Sequence, residues 1–515
     1  MNLNAIRYSP YFFPGMLAIL FAGLEVLTAQ TFGFHPDEYY YFACAYHPAF
    51  GYVDHPAFIA WITRISLLFG NSAYTLHLFP ALAGVATLMV TAATCIKLGG
   101  GRFAAFLSVL SILTGMYYWV VFGFVSMNAY DILWITLAAY CALCILESPS
   151  LGRWLLLGLI IGIGANTKTT MFIFAVSLIL GLLLSKERRL LKTLPPYFTI
   201  LIALALSAPF LYWQFANGCP TLEFIRNVSS SKNLVVSPPQ FLLQIVLATG
   251  VFTAPIWMTG IATLLRSSGA IPTRALGIGI LLFFLIYLTN HSKFYYILPA
   301  FPFLFAAGSV AIEHGLEQRH NWIRVGLLLL LSSWIIVQLP LGVPLLPMEA
   351  FASYLQIMRL SRQMKTEDHP SAQAEHVKGI PDYFGQRIGA REFVATVARV
   401  YHSLPEPEKA DCAIFGKTYA FAGMVDFFGP EFGLPKAISA HNNYWLWGPR
   451  EYSGETLLVC DNSEKGYIQK FESVEILAEY EFPYREDNFR VLKILCCRHP
   501  KKPLADLWRE IKTFD

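Results

Sequence analysis

The chain has 515 residues, of which 55% are hydrophobic and 14% charged, and its formal net charge is +4. Soluble domains carry about 25% charged residues, so an ordinary soluble protein is excluded. The small positive balance, without a Lys/Arg run, also argues against a nucleic-acid partner.

Apolar runs fall at about 11–31, 77–97, 103–123, 130–146, 154–166, 169–185, 197–215, 240–264, 275–290, 295–312 and 324–342. Most approach the roughly 20 residues that cross a bilayer. The pattern predicts an α-helical polytopic membrane protein with about eleven transmembrane helices, the short fifth run being a candidate half-helix. The run 11–31 is too long for the apolar part of a cleavable signal and lacks a small-residue cleavage site. Lys and Arg set the expected orientation. Arg7, Lys97, Arg102, Arg153, the 186–192 cluster, Arg266, Arg274, Arg319 and Arg324 fall on one side, read as cytoplasmic. The opposite loops, 32–76, 124–129, 166–168, 216–239 and 290–294, face outside, as does everything after about residue 345. Two domains are expected: a membrane domain over 1–347 and a soluble α/β domain over 348–515.

In the tail, "REFVATVARVYHSL" has helical apolar spacing. "ADCAIFG", "ETLLVCD" and "FRVLKILCC" read as buried strands, and "AFAGMVDFFG" as a short helix ended by Gly429 and Pro430. Cys141 and Cys144 form a C-x-x-C inside an apolar helix, where cysteine acts mainly as a small hydrophobe. Cys412, Cys460, Cys496 and Cys497 leave a tail disulfide open.

Polar groups gather on the outer side. The first outer loop, "FGFHPDEYYYFACAYHPAFGYVDHPAFIAW", holds Asp37, Glu38, Asp54 and His55. "SMNAYD" adds Asn128 and Asp131, "NTK" adds Lys168, and "NHSKFYY" adds His291, Lys293, Tyr295 and Tyr296. An ionisable group at membrane depth is costly and marks function by default. Each has a plainer reading. Asp37, Glu38, Asp54 and Asp131 suit helix starts. The lysines suit snorkelling. Tyr39, Tyr40 and Tyr41 suit an interfacial belt. All of these would have to hold together to explain the cluster away. The three loop histidines lack metal-site spacing. A carboxylate at an outer membrane face suits a general base for an acceptor hydroxyl, and lysines suit a phosphate leaving group. No G-x-x-x-x-G-K-[ST] phosphate loop occurs, and a lipid-phosphate-linked sugar is the donor available outside. The stretch 213–241 reads as a long outer loop able to act as a lid. "AHNNYWLWGPRE" reads as a loop whose Tyr444, Trp445 and Trp447 either pack the tail or meet the acceptor at the membrane.

The first outer loop resembles that of bacterial glycosyltransferase family 39, which includes protein O-mannosyltransferases and the aminoarabinose transferase of lipid A. "SMNAYDILW", "NTKTTMF", "WQFANGCPTLEFIRN", "KFYYILPAFPFLFAAG", "VDFFGPEFGLP" and "HNNYWLWGP" extend the resemblance across most of the chain. It implies a GT-C fold and transfer of a sugar from a polyprenyl phosphate to a lipid A, glycan or protein acceptor. The implied setting is the periplasmic face of a bacterial inner membrane. Asp37 and Glu38 match the catalytic acids, Asp54 and His55 the second loop signature, and Lys168 and Lys293 the phosphate-binding positions. Asn128, Asp131 and Tyr295 complete the expected substrate site. Asp131 stands where many relatives carry Glu, and Thr167 interrupts the usual Asn-Lys. The resemblance leaves room for a divalent metal held by acids and calls for no other cofactor. A transporter of lipid-linked sugar would need polar groups on the inner face or inverted repeats. A non-catalytic assembly protein would lose the acids.

Overall fold

The protein is described from a computed structural model, which covers residues 9–231, 237–290, 292–316, 321–358 and 380–515. Arg7, His291 and Arg319, and part of the 213–241 stretch, lie outside these residues. The membrane part runs α1 (Phe12–Thr28), α2 (Pro36–Tyr46), α3 (Phe58–Leu67), α4 (Ala73–Lys97), α5 (Arg102–Leu113), α6 (Met116–Phe122), α7 (Met127–Glu147) and α8 (Leu151–Ala165). It continues with α9 (Thr170–Leu183), α10 (Pro195–Ala216), α11 (Pro220–Ser231), α12 (Pro238–Thr249), α13 (Ala254–Arg266), α14 (Arg274–Thr289), α15 (Phe301–Gly315) and α16 (Asn321–Gly342).

Among the described residues, five helices are long and apolar enough to cross a membrane: α4, α7, α10, α16 and Phe294–Gly315, which ends in α15. Three bent pairs raise the number to eight. The expected eleven is not reached by this measure, because α1, α8 and α14 are apolar but only 17, 15 and 16 residues long. The bends have physical causes. The α5–α6 and α12–α13 pairs turn by 74° and 102°, and their breaks meet. Gly250 holds φ +93, a region open mainly to glycine, and a Cβ there would lie 2.7 Å from the Thr114 carbonyl oxygen. Elsewhere small residues let helices cross closely: a Cβ on Gly260 would lie 2.2 Å from the Leu304 carbonyl oxygen.

The tail carries helices α17 (Met348–Ile357), α18 (Ala390–Ser403), α19 (Tyr419–Phe428), α20 (Asn443–Trp447) and α21 (Leu504–Glu510). Its sheet has four strands, β1 (Ala413–Gly416), β2 (Thr456–Asp461), β3 (Phe471–Glu481) and β4 (Val491–Pro500), in the order β1-β2-β4-β3. β1 and β2 are parallel and the other pairs antiparallel. The three expected strands and both expected helices form where their apolar patterns place them. β3 was not expected: it is a largely exposed edge strand without a continuous apolar run. The nine cysteines are all free, so the tail disulfide does not form.

The tail is seated on the first outer loop. Gly423 of α19 meets α2 so closely that a Cβ would lie 2.8–2.9 Å from Tyr39 atoms. Phe427 packs its ring against Phe34, Tyr39 and Phe42 at 5.0–5.7 Å. The tyrosine belt expected at 39–41 is therefore corrected. Tyr39, Tyr40 and Tyr41 are all buried, at 1%, 1% and 4% exposure: Phe427 and Tyr419 of the tail cover Tyr39 and Tyr40, and Tyr41 packs on Tyr40 and His55.

Candidate active site

The sequence His35-Pro36-Asp37-Glu38 builds its own helix start. His35 is the N-cap, and its ring accepts the Asp37 amide hydrogen at 3.2 Å. Glu38 reaches back to accept the His35 amide at 2.6 Å. This is a capping box, with Pro36 preset for the first turn. Adjacent helical residues point about 100° apart, so Asp37 and Glu38 part ways. Asp37 opens onto a cavity of about 470 Å3, whereas Glu38 turns inward and does not line it.

Glu38 is fully buried and satisfied. It accepts from His77 Nε2 at 2.8 Å and from the Val125 amide at 2.9 Å, with the Arg387 guanidinium 4.0 Å away. Burial alone would raise its carboxyl. His77, Arg387 and the Val125 amide outweigh that and hold it below the usual carboxylate value. The expectation of a catalytic Glu38 is corrected: it holds the start of α2, and through it Asp37, without contact to the cavity.

Asp37, Asp54, His55, Asn128, Lys168, Lys293 and Tyr295 all line the cavity. They form two groups. In the first, the Tyr419 hydroxyl donates to Asp37 Oδ1 at 2.9 Å. The Tyr419 ring stacks on Tyr40 at 4.5 Å, and the Tyr40 hydroxyl donates to Asp54 Oδ1 at 2.8 Å. Burial, and then the Asp37 and Asp54 carboxylates, push the Tyr419 hydroxyl well above its ordinary value, so it stays a donor. His55 is buried beneath the rings of Tyr40, Tyr41 and Tyr52, at 5.6, 5.3 and 4.8 Å, and its Nδ1 bonds the Pro56 carbonyl at 2.8 Å.

In the second group, Lys168 leaves the connector between α8 and α9 and donates to Asn128 Oδ1 at 2.6 Å. Ser126 caps α7 and orients Asn128 by accepting its amide hydrogen at 3.2 Å. The Lys168 ammonium lies over the rings of Tyr295 and Tyr296 at 5.1 and 4.6 Å. Burial lowers the Lys168 amine to about 8; Asp131 opposes this and Lys293 adds to it. Asp131 does not reach the cavity wall. It accepts from Thr170 Oγ1 at 2.7 Å and backs Lys168 at 4.0 Å, so its expected contact with substrate is corrected to a supporting position.

The remaining wall comes from elements whose part the sequence did not give. The 213–241 stretch is largely helical: α11 sets Phe224, Ile225 and Val228 against the cavity, and Thr221 ties α11 to the Val53 carbonyl at 2.8 Å. The tail adds Tyr419, Asn442 and Asp515. Asn443 accepts the Val53 amide hydrogen at 2.6 Å, pinning the loop that carries Asp54. Tyr444 donates to Asp426 at 2.9 Å, and Trp445 to the Trp508 carbonyl at 2.8 Å. Trp447 stacks on His47 at 4.2 Å. Tyr444 and Trp445 pack within the tail, and Trp447 joins the tail to the first outer loop. Among the described residues, no three His, Cys, Asp or Glu side chains converge as a metal ion would require.

Comparison with known proteins bears on the fold. Residues 54–213 match the profile of the family described as dolichyl-phosphate-mannose-protein mannosyltransferase. No curated protein sequence matches the chain. Two crystal structures of ArnT from Cupriavidus metallidurans, one bound to undecaprenyl phosphate and one in the apo state, superpose with a TM-score of 0.60 at 13% identity. Each match covers 93% of this chain and 97% of that one. Archaeoglobus fulgidus AglB gives a lower TM-score of 0.47 at 12% identity, over 81% of this chain and 63% of its own. The chain is a multi-pass membrane protein with the GT-C fold in the arrangement of ArnT.

Proposed function

We propose that this protein is a glycosyltransferase that moves a sugar from a polyprenyl-phosphate donor to a hydroxyl of a lipid A, glycan or protein acceptor. The reaction takes place at the periplasmic face of a bacterial inner membrane. The observation that carries this reading is a single cavity holding Asp37 and Asp54 together with Lys168 and Lys293, among tyrosine faces. The family profile over residues 54–213 and the ArnT fold support it, as does the undecaprenyl phosphate named in one ArnT structure.

The chemistry is a direct displacement. The acceptor oxygen attacks the anomeric carbon, the bond from that carbon to the phosphate oxygen breaks, and the acceptor proton passes to Asp37. Inversion at the sugar carbon is the expected outcome. The Tyr419 hydroxyl holds Asp37 in one orientation, which suits a general base contributing about 10²–10⁴ in rate. Lys168 and Lys293 stabilise the charge that builds on the departing lipid phosphate, an electrostatic role in a site partly shielded from water. Tyr40, Tyr41 and Tyr295 offer ring faces to sugar C–H surfaces.

The test is reconstitution of the protein in vesicles with a panel of undecaprenyl-phosphate-linked sugars and envelope lipids, with products read by mass spectrometry. Gain of one sugar on an acceptor, with release of undecaprenyl phosphate, is expected. Movement of the sugar-lipid across the bilayer without transfer would contradict the assignment.

A further inference from the structure

Arg387 belongs to the tail, just before α18, yet its guanidinium reaches the start of α2. The residue is 7% exposed. Its guanidinium lies over the Phe124 ring at 5.6 Å and 4.0 Å from a Glu38 carboxylate oxygen. Phe124 lines the cavity, and the His35 ring packs on it at 5.0 Å. The backbone is as close: a Cβ on Gly33, which holds φ +82, would lie 3.1 Å from the Arg387 carbonyl oxygen. Burial lowers the guanidinium; Glu38 and then Glu25 of α1 oppose this, and Tyr39 and Tyr383 also face it. Neither Nε nor Nη2 has a hydrogen-bond partner among the described residues. Apolar contact already docks this stretch of the tail, since Phe384 packs on Phe32 and Phe351 at 5.1 and 5.3 Å. A buried ion pair adds little to stability over well-packed apolar groups, so docking alone does not call for an arginine here.

We infer that Arg387 is a positioning residue for sugar transfer: its charge, brought from the tail to Glu38, fixes the start of α2 and so the direction in which Asp37 meets the cavity. The inference rests on the glycosyltransferase reading and adds to it that the base is in place only when the tail is seated. Glu38 accepts three hydrogens, from the His35 amide, His77 Nε2 and the Val125 amide. A carboxylate has two acceptor oxygens for them, whereas a protonated carboxyl turns one oxygen into a donor. The capping box at His35 therefore needs the charged form. The groups that favour that form are His77 from α4, Arg387 from the tail and the Val125 amide, against burial.

The experiment compares wild type with Arg387→Met, Arg387→Gln and Arg387→Lys in vesicles, using the undecaprenyl-phosphate-linked sugar that wild type transfers. Met keeps the bulk against Phe124, Gln keeps a polar side chain, and Lys keeps the charge, so one variant that fails to fold leaves the comparison standing. Per folded molecule, kcat is expected to fall about tenfold or more in Arg387→Met and Arg387→Gln, with donor KM held within about twofold. Arg387→Lys is expected to stand at least about threefold above both. Without the cation the Glu38 carboxyl rises and takes up its proton at higher pH. The acid limb of kcat is therefore expected to move up in the Met and Gln variants and to stay in place in Arg387→Lys. Equal kcat in the Lys and Met variants would overturn the inference, as would a loss confined to donor KM or one that follows the folded fraction alone. Wild type that transfers no sugar from any donor would instead sink the glycosyltransferase reading.

Discussion

At the scale of single residues, neighbours decide which acid faces the cavity. Asp37 and Glu38 are adjacent in sequence and opposite in direction, because the capping box turns Glu38 inward while Asp37 meets the Tyr419 hydroxyl at 2.9 Å. Tyr419→Phe keeps the ring stacked and removes that donor. A hydrogen bond to a charged group is worth about 1.5–3 kcal/mol, so kcat is expected to fall about tenfold to a hundredfold, with donor KM unchanged. Steady-state kinetics check the split, and a rise in KM alone would mean that Tyr419 only binds. Lys168 gives a pH signature. Burial brings its amine down to about 8, so it loses its proton, and its hold on a phosphate, as pH rises through that value. Donor KM is expected to climb above about pH 8, with Lys168→Arg removing the effect because a guanidinium keeps its charge. Most of this residue-level site was legible in the sequence. Asp37, Asn128, Lys168, Lys293 and Tyr295 fall near where an apolar run meets its outer loop, and Asp54 and His55 lie within the first of these loops. Glu38 and Asp131 were not separable from them, because a polar residue at that depth reads the same whichever way its helix face turns.

At the scale of elements, the membrane helices and the buried tail strands were readable because apolar length and period state them directly. The count of crossings was not, since α1, α8 and α14 form helices shorter than their apolar runs, and the breaks near Thr114 and Gly250 bend runs that look continuous by composition. α11 also escaped: its sequence is polar overall, and Thr221, Phe224, Ile225 and Val228 turn toward the loop and the cavity without forming an apolar run. The closest joint between the two parts of the molecule is α19 against α2. Gly423→Val would drive side-chain carbon into Tyr39 backbone atoms that a Cβ already approaches to 2.8 Å. Overpacking of this kind costs about 1–3 kcal/mol. The variant is expected to stay folded by circular dichroism while its transfer rate falls at least as far as that of Tyr419→Phe. A folded Gly423→Val with wild-type transfer would show that this joint does not position Tyr419.

At the scale of the whole molecule, one cavity is assembled from both ends of the chain. Asp37 and Tyr419 are 382 residues apart, and Val53 and Asn443 are 390 apart. No local pattern encodes such pairings, which is why Tyr419, Asn442 and Asp515 were invisible as site residues until the tail was seen seated on the first loop. The tail covers the loop, buries its tyrosines and supplies groups to the cavity. The membrane part supplies Lys168, Lys293, Asp37 and Asp54. The central claim is that this joint cavity transfers sugar with Asp37 as the base, and Asp37→Asn tests it most directly. The substitution keeps the shape and removes the basic oxygen. In vesicles supplied with the undecaprenyl-phosphate-linked sugar that wild type uses, the variant is expected to bind the donor normally and to transfer about 10²–10⁴ times more slowly. Transfer at the wild-type rate by folded Asp37→Asn protein would contradict the account.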